Sequence, residues 1–284
     1  MPVVTPEEVA SLVPALKGKD GLIRAGLSLT GVDKVNALYD RCLPAEGPEF
    51  TDALLKDVGV DYLVGGLSHL EALSEGPFIT ISNHPYGHLD GIITVDLIGH
   101  VRPGFKLMVN KVLAHIKAMA VNFIEVDPTG SERLAATQKS VGGVREALST
   151  LLSGEPLGIF PSGAVSDLSV RDGFRIRDRK WQEAALKLIR KAAVPVLPLR
   201  FFDRNSLFFY LLGLLDYRVR LVRLCHEVFN KKNRTVRIGI GPVIAPEEFG
   251  DMSLEQLSAF LRDRVYGMPM PSDFVCRSSL FTAP

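Results

Sequence analysis

Cysteine is scarce in this chain: three among 284 residues, Cys42, Cys225 and Cys276, odd in number and widely scattered. That spacing predicts neither a disulfide framework nor a thiolate-held metal, and free thiols suit a reducing compartment. Net charge is nearly absent too, since 33 Lys and Arg against 32 Asp and Glu leave +1. A nucleic-acid binder relying on a generally basic surface is therefore not expected. No uncharged apolar run reaches the ~18 residues that a membrane-crossing helix needs. The opening "MPVVTPEEVASLVPALKG" lacks the basic start and apolar core of a secretory signal. These absences predict a cytoplasmic protein that touches a membrane, if at all, peripherally from the inner face.

What is present is ordinary globular composition, with 46% hydrophobic and 23% charged residues. Before Ser74 apolar residues recur every three or four positions, as in "VDKVNALYDRC" and "FTDALLKDVGVDYLV", which predicts short helices. After Pro77 β-rich runs take over: "FITIS", "FKLMV", "NFIEV", "LGIF", "VPVLPLRF" and "TVRIGIG". Helical patterns lie between several of them. "KWQEAALKLIRKAA" puts Trp181, Ala184, Ala185, Leu188 and Ile189 on one face; "QKSVGGVREALSTLL" does so with Val141, Val144, Leu148, Leu151 and Leu152. The pattern predicts an α/β fold, a central mixed and largely parallel sheet flanked by helices. Residues 1–73 form a helical N-terminal cap packed on the core in this reading, and 74–284 the α/β domain. "LFFYLLGLL" (207–215) reads either as a buried helix or as an apolar lip entering a bilayer, too short to cross one.

The stretch "FITISNHPYGHLDG" (78–91) carries the chemistry. A strand ends in Asn83 and His84; Asp90 follows near the start of a helix, with Gly87 and Gly91 freeing the backbone between and beyond. Strand ends of this kind are where α/β proteins place their sites. His84 and His88 have an i, i+4 spacing that suggests metal ligation, but Pro85 and Gly87 break it and no H-E-x-x-H glutamate is present. "PSGAV" is only half of a nucleophilic serine elbow. The remaining chemistry is a pair: a neutral His84 imidazole removes a proton from an acceptor, and Asp90 fixes its tautomer. Taken alone, Asp90 could serve only as an N-cap, and His84 reads equally well as a hydrogen-bonded structural histidine; the combination is what points to chemistry. His69, His100, His115 and His226 have no acidic company and read as structural.

This stretch resembles the first motif, N-H-x-x-x-x-D, of the glycerolipid and lysophospholipid acyltransferases, with five residues in place of four between His84 and Asp90. The longer spacing is similar to the hemolysin-like branch, which includes lyso-ornithine lipid acyltransferases. "MVNKVLAHI" and "NFIEVDPTG" resemble the family's second block, "IFPSGAVSD" its F-P-E-G block and "VPVLPLRFFDRNSLFFYLLG" its fourth, so the likeness spans Pro77 to Val243. It implies His84 as general base and Asp90 as its orienting partner. Substrate contacts are expected from Asn83, Gly87, Gly91, Phe160, Pro161, Ser162 and Gly163, with His88, which the family motif does not require, beside them and N–H groups near Gly87 or Gly163 as oxyanion donors. The implied donor is acyl-acyl carrier protein or acyl-coenzyme A, the acceptor a lyso-lipid hydroxyl, with no cofactor and no metal. Where phosphate-using relatives carry arginines in F-I-x-R and F-P-E-G-T-R-S, this chain has Val126 and Val165, and Ser162 replaces the glutamate. Loss of those bidentate cations favours a lyso-aminoacyl lipid of the ornithine or glycine type over glycerol phosphate or lysophosphatidate. The basic run "RDGFRIRDRK", with Arg171, Arg175, Arg177, Arg179 and Lys180, is a solvated face or a site for acidic headgroups, a donor phosphopantetheine or an acidic carrier protein. Lys106 and Lys111 are surface lysines or donor-phosphate contacts. A thioesterase or lipid hydrolase using the same pair on water, and a non-catalytic lipid-binding protein, are the competing functions.

Overall fold

The computed structural model describes residues 18–281 apart from 74, 111, 112, 114, 115, 127–137 and 171. The opening to residue 17, Lys111, His115, Arg171, the end of "NFIEVDPTG" and the side chain of Val141 thus lie outside the described residues. Three helices come first: α1 Asp20–Thr30, α2 Val32–Cys42 and α3 Gly47–Val58. In α3 the residues Phe50, Thr51, Leu54, Leu55 and Val58 are buried, one face of a 3.6-residue repeat. Gly59, left-handed at φ 74°, returns its N–H to the last turn and stops the helix.

The next segment departs from the helical expectation. Leu63–Gly65 is strand β1, because Tyr62 and Val64 are wholly buried at two-residue spacing. A short α4, Leu67–Glu71, leads to β2, Ile79–Ser82, and the long α5, His88–Val101. Then follow β3 Lys106–Asn110, β4 Phe123–Val126, α6 Gln138–Leu152 and β5 Leu157–Ile159. A hairpin that the sequence reading did not foresee, β6 Asp167–Ser169 with β7 Arg175–Arg177, carries the basic run. After it come α7 Glu183–Ala192, β8 Val196–Phe201, α8 Leu207–Leu215, α9 Tyr217–Phe229 and β9 Arg237–Ile240. The chain closes through α10 Leu254–Tyr266, β10 Val275–Cys276 and α11 Arg277–Leu280.

Eight strands form one sheet in the order β10-β1-β9-β8-β2-β5-β3-β4. Pairings are parallel except β1 with β10 and β8 with β9, so the sheet is mixed and largely parallel, as expected. Strand β1, from before Ser74, is hydrogen-bonded within it. All four residues of the central β2 are buried, because helices cover both faces. On one side α5 packs with α3; on the other, α6, α7 and α10 pack over Ile79, Ile81 and Val196.

Two expected apolar faces are shifted. Helix α7 starts at Glu183, two residues after Trp181, which leaves Ala184 exposed and buries Leu186. Leu152, last in α6, is 88% exposed because the chain turns away there through Gly154, φ 90°.

Helix α5 runs through the interior and carries a second buried acid, Asp96. Its carboxylate takes bonds from Arg277 Nε at 2.6 Å and Nη2 at 2.7 Å, and from Tyr62 Oη at 2.9 Å. Arg277 also reaches Asp52 of α3 at 2.6 Å. This hub ties α3, the approach to β1, α5 and the C-terminal segment together. Replacing Arg277 by alanine strands the buried Asp96 charge, and chemical denaturation is expected to show a loss of about 3–5 kcal/mol.

Candidate active site

Strand β2 delivers Asn83 and His84 at its carboxyl end, between β8 and β5. Pro85, Tyr86 and Gly87 turn the chain, and α5 begins at His88, so Asp90 is the third residue of the helix. Its carboxylate points back into the turn. Oδ2 accepts from the N–H groups of Tyr86 at 2.8 Å and Gly87 at 2.9 Å, and lies 2.9 Å from His84 Nδ1. Asp90 is thus a helix-end acceptor and a histidine partner at once, so its two readings do not compete. Gly87 makes this turn possible: its φ is 80°, and a Cβ there would stand about 3.0 Å from Val165 and 3.1 Å from Leu224.

With Nδ1 facing Asp90, His84 keeps Nε2 for an incoming group, and the side chain is 17% exposed. Phe160 stacks on the imidazole, ring centroids 4.1 Å apart, which fixes its plane. Asp178, buried, accepts from the His84 N–H at 3.1 Å and the Ser166 hydroxyl at 2.6 Å. Ser166 N–H in turn donates to the His84 carbonyl at 2.9 Å. Tyr210 Oη donates to the Pro85 carbonyl at 2.7 Å, and Asn205 Nδ2 to that of Tyr86 at 3.1 Å. None of Asp178, Tyr210 or Asn205 was given a role from the sequence, although Asn205 and Tyr210 lie in the stretch that resembles the fourth block and Asp178 in the basic run. Arg220, also missed, is buried in α9 and binds the Val165 and Ser166 carbonyls, both at 3.0 Å, and Asp167 at 2.7 Å.

Several expected substrate contacts turn out to be engaged with the protein itself. Asn83 clamps Phe201 of β8, donating to its carbonyl at 2.9 Å and accepting from its N–H at 2.8 Å. The Ser162 hydroxyl closes its own turn on the Ala164 carbonyl at 2.8 Å, and the Pro161 carbonyl accepts from Gln182 N–H at 2.8 Å. Gly91 packs near Leu107 of β3. Phe160 and His88 remain beside His84, and Gly163 is exposed. The two anticipated oxyanion donors are occupied, Gly87 N–H by Asp90 and Gly163 N–H by the Phe160 carbonyl at 2.9 Å. The suggested metal pair is not on one helix face, since α5 starts only at His88. Val165, standing where relatives carry arginine, is buried against Leu224 and Phe209. The other described histidines bind main-chain carbonyls: His69 that of Ile240, His100 that of Asp96 and His226 that of Leu29. Lys106 caps the Val121 carbonyl.

Burial pushes the Asp90 carboxyl up, while the hydrogen bond and charge of His84 and the two main-chain donors oppose it. Burial drives the His88 imidazole down to about 4, and the neighbouring His84 adds to the effect. His88 is therefore neutral beside His84 at physiological pH.

The chain matches the family model described as acyltransferase over residues 30–273. The chain belongs to the acyltransferase family. Its sequence relatives include a lyso-glycine lipid O-acyltransferase of Bacteroides thetaiotaomicron, 24% identical over 242 residues, covering 82% of this chain and 85% of the relative. A protein of the same description from Phocaeicola vulgatus is 25% identical, covering 82% of each. Among solved structures, the crystal structure of the 1-acyl-sn-glycerophosphate (LPA) acyltransferase PlsC from Thermotoga maritima gives a TM-score of 0.46 at 16% identity, over 87% of this chain and 88% of that one. The acyltransferase thus carries its His–Asp pair at the carboxyl edge of its sheet, among residues that belong to the matched region.

Native His88 takes up its proton only near pH 4, whereas an unfolded histidine does so near 6.5. The unfolded chain binds the proton first as pH falls, so stability is lost between pH 6.5 and about 4. Urea melts across that window are expected to show a shallower decline for His88→Gln than for the parent acyltransferase.

Proposed function

We propose that this acyltransferase moves a fatty acyl chain from a thioester, carried by acyl carrier protein or coenzyme A, to the hydroxyl of a lyso-aminoacyl lipid. The observation that carries the chemistry is the 2.9 Å pair of His84 Nδ1 and the fully buried Asp90. Asp90 holds the proton on Nδ1, so the Nε2 lone pair faces outward and removes the acceptor's hydroxyl proton. The oxygen attacks the thioester carbonyl, the C–S bond breaks, and the proton on Nε2 passes to the leaving thiolate. No covalent enzyme intermediate is required, because the donor is already activated.

The names of the relatives support a small amino-acid head group, and so does the chemistry of the loops. Apolar Val126 and Val165 cannot clamp phosphate, and Arg220 spends its guanidinium on two main-chain carbonyls and Asp167. A phosphate acceptor would forgo charge-assisted bonds worth about 1.5–3 kcal/mol each. With purified protein, His84→Ala is expected to lower transfer from a labelled thioester by about 100–10,000-fold without unfolding the protein. Near-normal transfer by this variant sinks the mechanism, and release of free fatty acid with acceptor present replaces transfer by hydrolysis.

The same reading places the protein on the cytoplasmic membrane face through α8. Phe209 and Tyr210 anchor this helix in the core, but Leu207 is 60% and Leu215 83% exposed, and Phe208, Leu211 and Leu214 lie open beside them. The bland alternative of a fully buried helix does not hold. Among the described residues no helix is long and apolar enough to cross a membrane. The basic β6–β7 hairpin packs next to α8, and Arg223 lies over the Phe208 ring at 5.5 Å, so cations rim the apolar face. An interfacial helix with this rim favours an anionic bilayer. Serine at Phe208, Leu211 and Leu215 together is expected to weaken liposome co-sedimentation by about tenfold or more.

A further inference from the structure

A cavity of about 550 Å³ lies beside Tyr86, where β8 ends and the chain approaches β9. Arg204, Asn205, Lys231, Arg234 and Thr235 line it with Tyr86. None of these residues was singled out in the sequence. Its charges do not balance internally. Asp203, the acid of the lining, is already held by the Arg237 side chain and by Arg237 N–H at 2.9 Å. Lys231 is paired with Glu227 at 3.0 Å. That leaves Arg204 and Arg234, both exposed, with no carboxylate partner among the described residues.

Asn205 is buried behind the wall, and its Nδ2 donates to the Tyr86 carbonyl, which ties the cavity to the turn after His84. Its Oδ1 has no hydrogen-bond partner and almost no surface open to the cavity, so the ligand is selected by the arginines. Two unpaired guanidiniums at one rim ask for an anion, and a lyso-aminoacyl lipid brings one as the free carboxylate of its amino acid.

Position supports the same ligand. Tyr86 is two residues from His84, so their Cα atoms are no more than ~7 Å apart. Ser206, another residue of the wall, caps the first turn of α8 by accepting from Phe209 N–H at 3.2 Å. The exposed apolar face of α8 therefore begins at the cavity rim, where the acyl chain of a lipid would leave its head group.

We propose that this cavity is the head-group subsite of the acceptor, with Arg204 and Arg234 holding the free carboxylate of an N-acylated amino acid. The assignment rests on the lyso-aminoacyl acceptor reading above, and binding is measured separately from transfer so that the two can fail apart. Titration calorimetry of the full chain with N-dodecanoylglycine, its methyl ester and dodecyl phosphate tests it. The acid is expected to bind the parent protein, and to bind the Arg204→Gln/Arg234→Gln variant about tenfold more weakly or worse. The ester should bind the parent no better than the acid binds the variant. Both arginines are exposed and outside any ion pair, so the thermal melt of the variant should match the parent. Equal binding of acid and ester, or binding of the acid that the double substitution leaves unchanged, overturns the subsite. Tighter binding of dodecyl phosphate that the same variant loses also overturns it, in favour of a phosphate from a phospholipid or the donor. Selective binding of the acid with no acyl transfer by the parent protein upholds the subsite and sinks the transfer reading instead.

Discussion

One buried carboxylate organises the carboxyl edge of this protein's sheet. Asp90 has no exposure to solvent, and a single oxygen of it accepts two main-chain N–H groups of the preceding turn and stands 2.9 Å from His84 Nδ1. An isolated charge in such a place would be costly; this one is hydrogen-bonded, partnered and set in the positive first turn of α5. The turn that supplies the main-chain donors exists only because Gly87 adopts a left-handed conformation beneath Val165 and Leu224. Imidazole position and helix start are therefore one structural fact.

The loop that carries the histidine is held along its whole length. Asn83 grips β8, Asp178 grips the His84 N–H, Tyr210 the Pro85 carbonyl and Asn205 the Tyr86 carbonyl. Preorganisation of this kind is what a general base requires, since misplacement by about 1 Å costs roughly 100-fold in rate. It also explains why polar motif residues such as Asn83 and Ser162 do not face outward: their hydrogen-bonding capacity is consumed in holding the site. Two of the clamps come from adjoining elements, with Asp178 leading out of the basic hairpin and Tyr210 sitting on the buried face of the apolar helix. The half-exposed α8 is consequently one hydrogen bond away from the turn after His84.

The strand-forming runs were legible because β2, β3, β4, β5, β8 and β9 are short, β-branched and bounded by turn residues. β1 was not, because Leu63–Gly65 follows a helical repeat and becomes a strand only by pairing with β9 and β10. The β6–β7 hairpin escaped for a related reason: its alternation is between arginines and single apolar residues, which in isolation reads as a solvated loop. At α6 and α7 the helical period was right and the faces were off by a residue or two, since a helix boundary decides which side each position takes.

The spacing of Asn83, His84, Gly87 and Asp90 by itself determined that an imidazole and a carboxylate would meet at a strand end, because local geometry across a single turn leaves them few alternatives. Sequence order also determined the largely parallel sheet, through strands separated by helical crossovers. Only the tertiary structure decided which polar side chains would be used up as clamps and which cations would stay unpaired. Those outcomes depend on contacts between segments more than a hundred residues apart, such as Asn205 with Tyr86 and Asn83 with Phe201, and no local pattern encodes them.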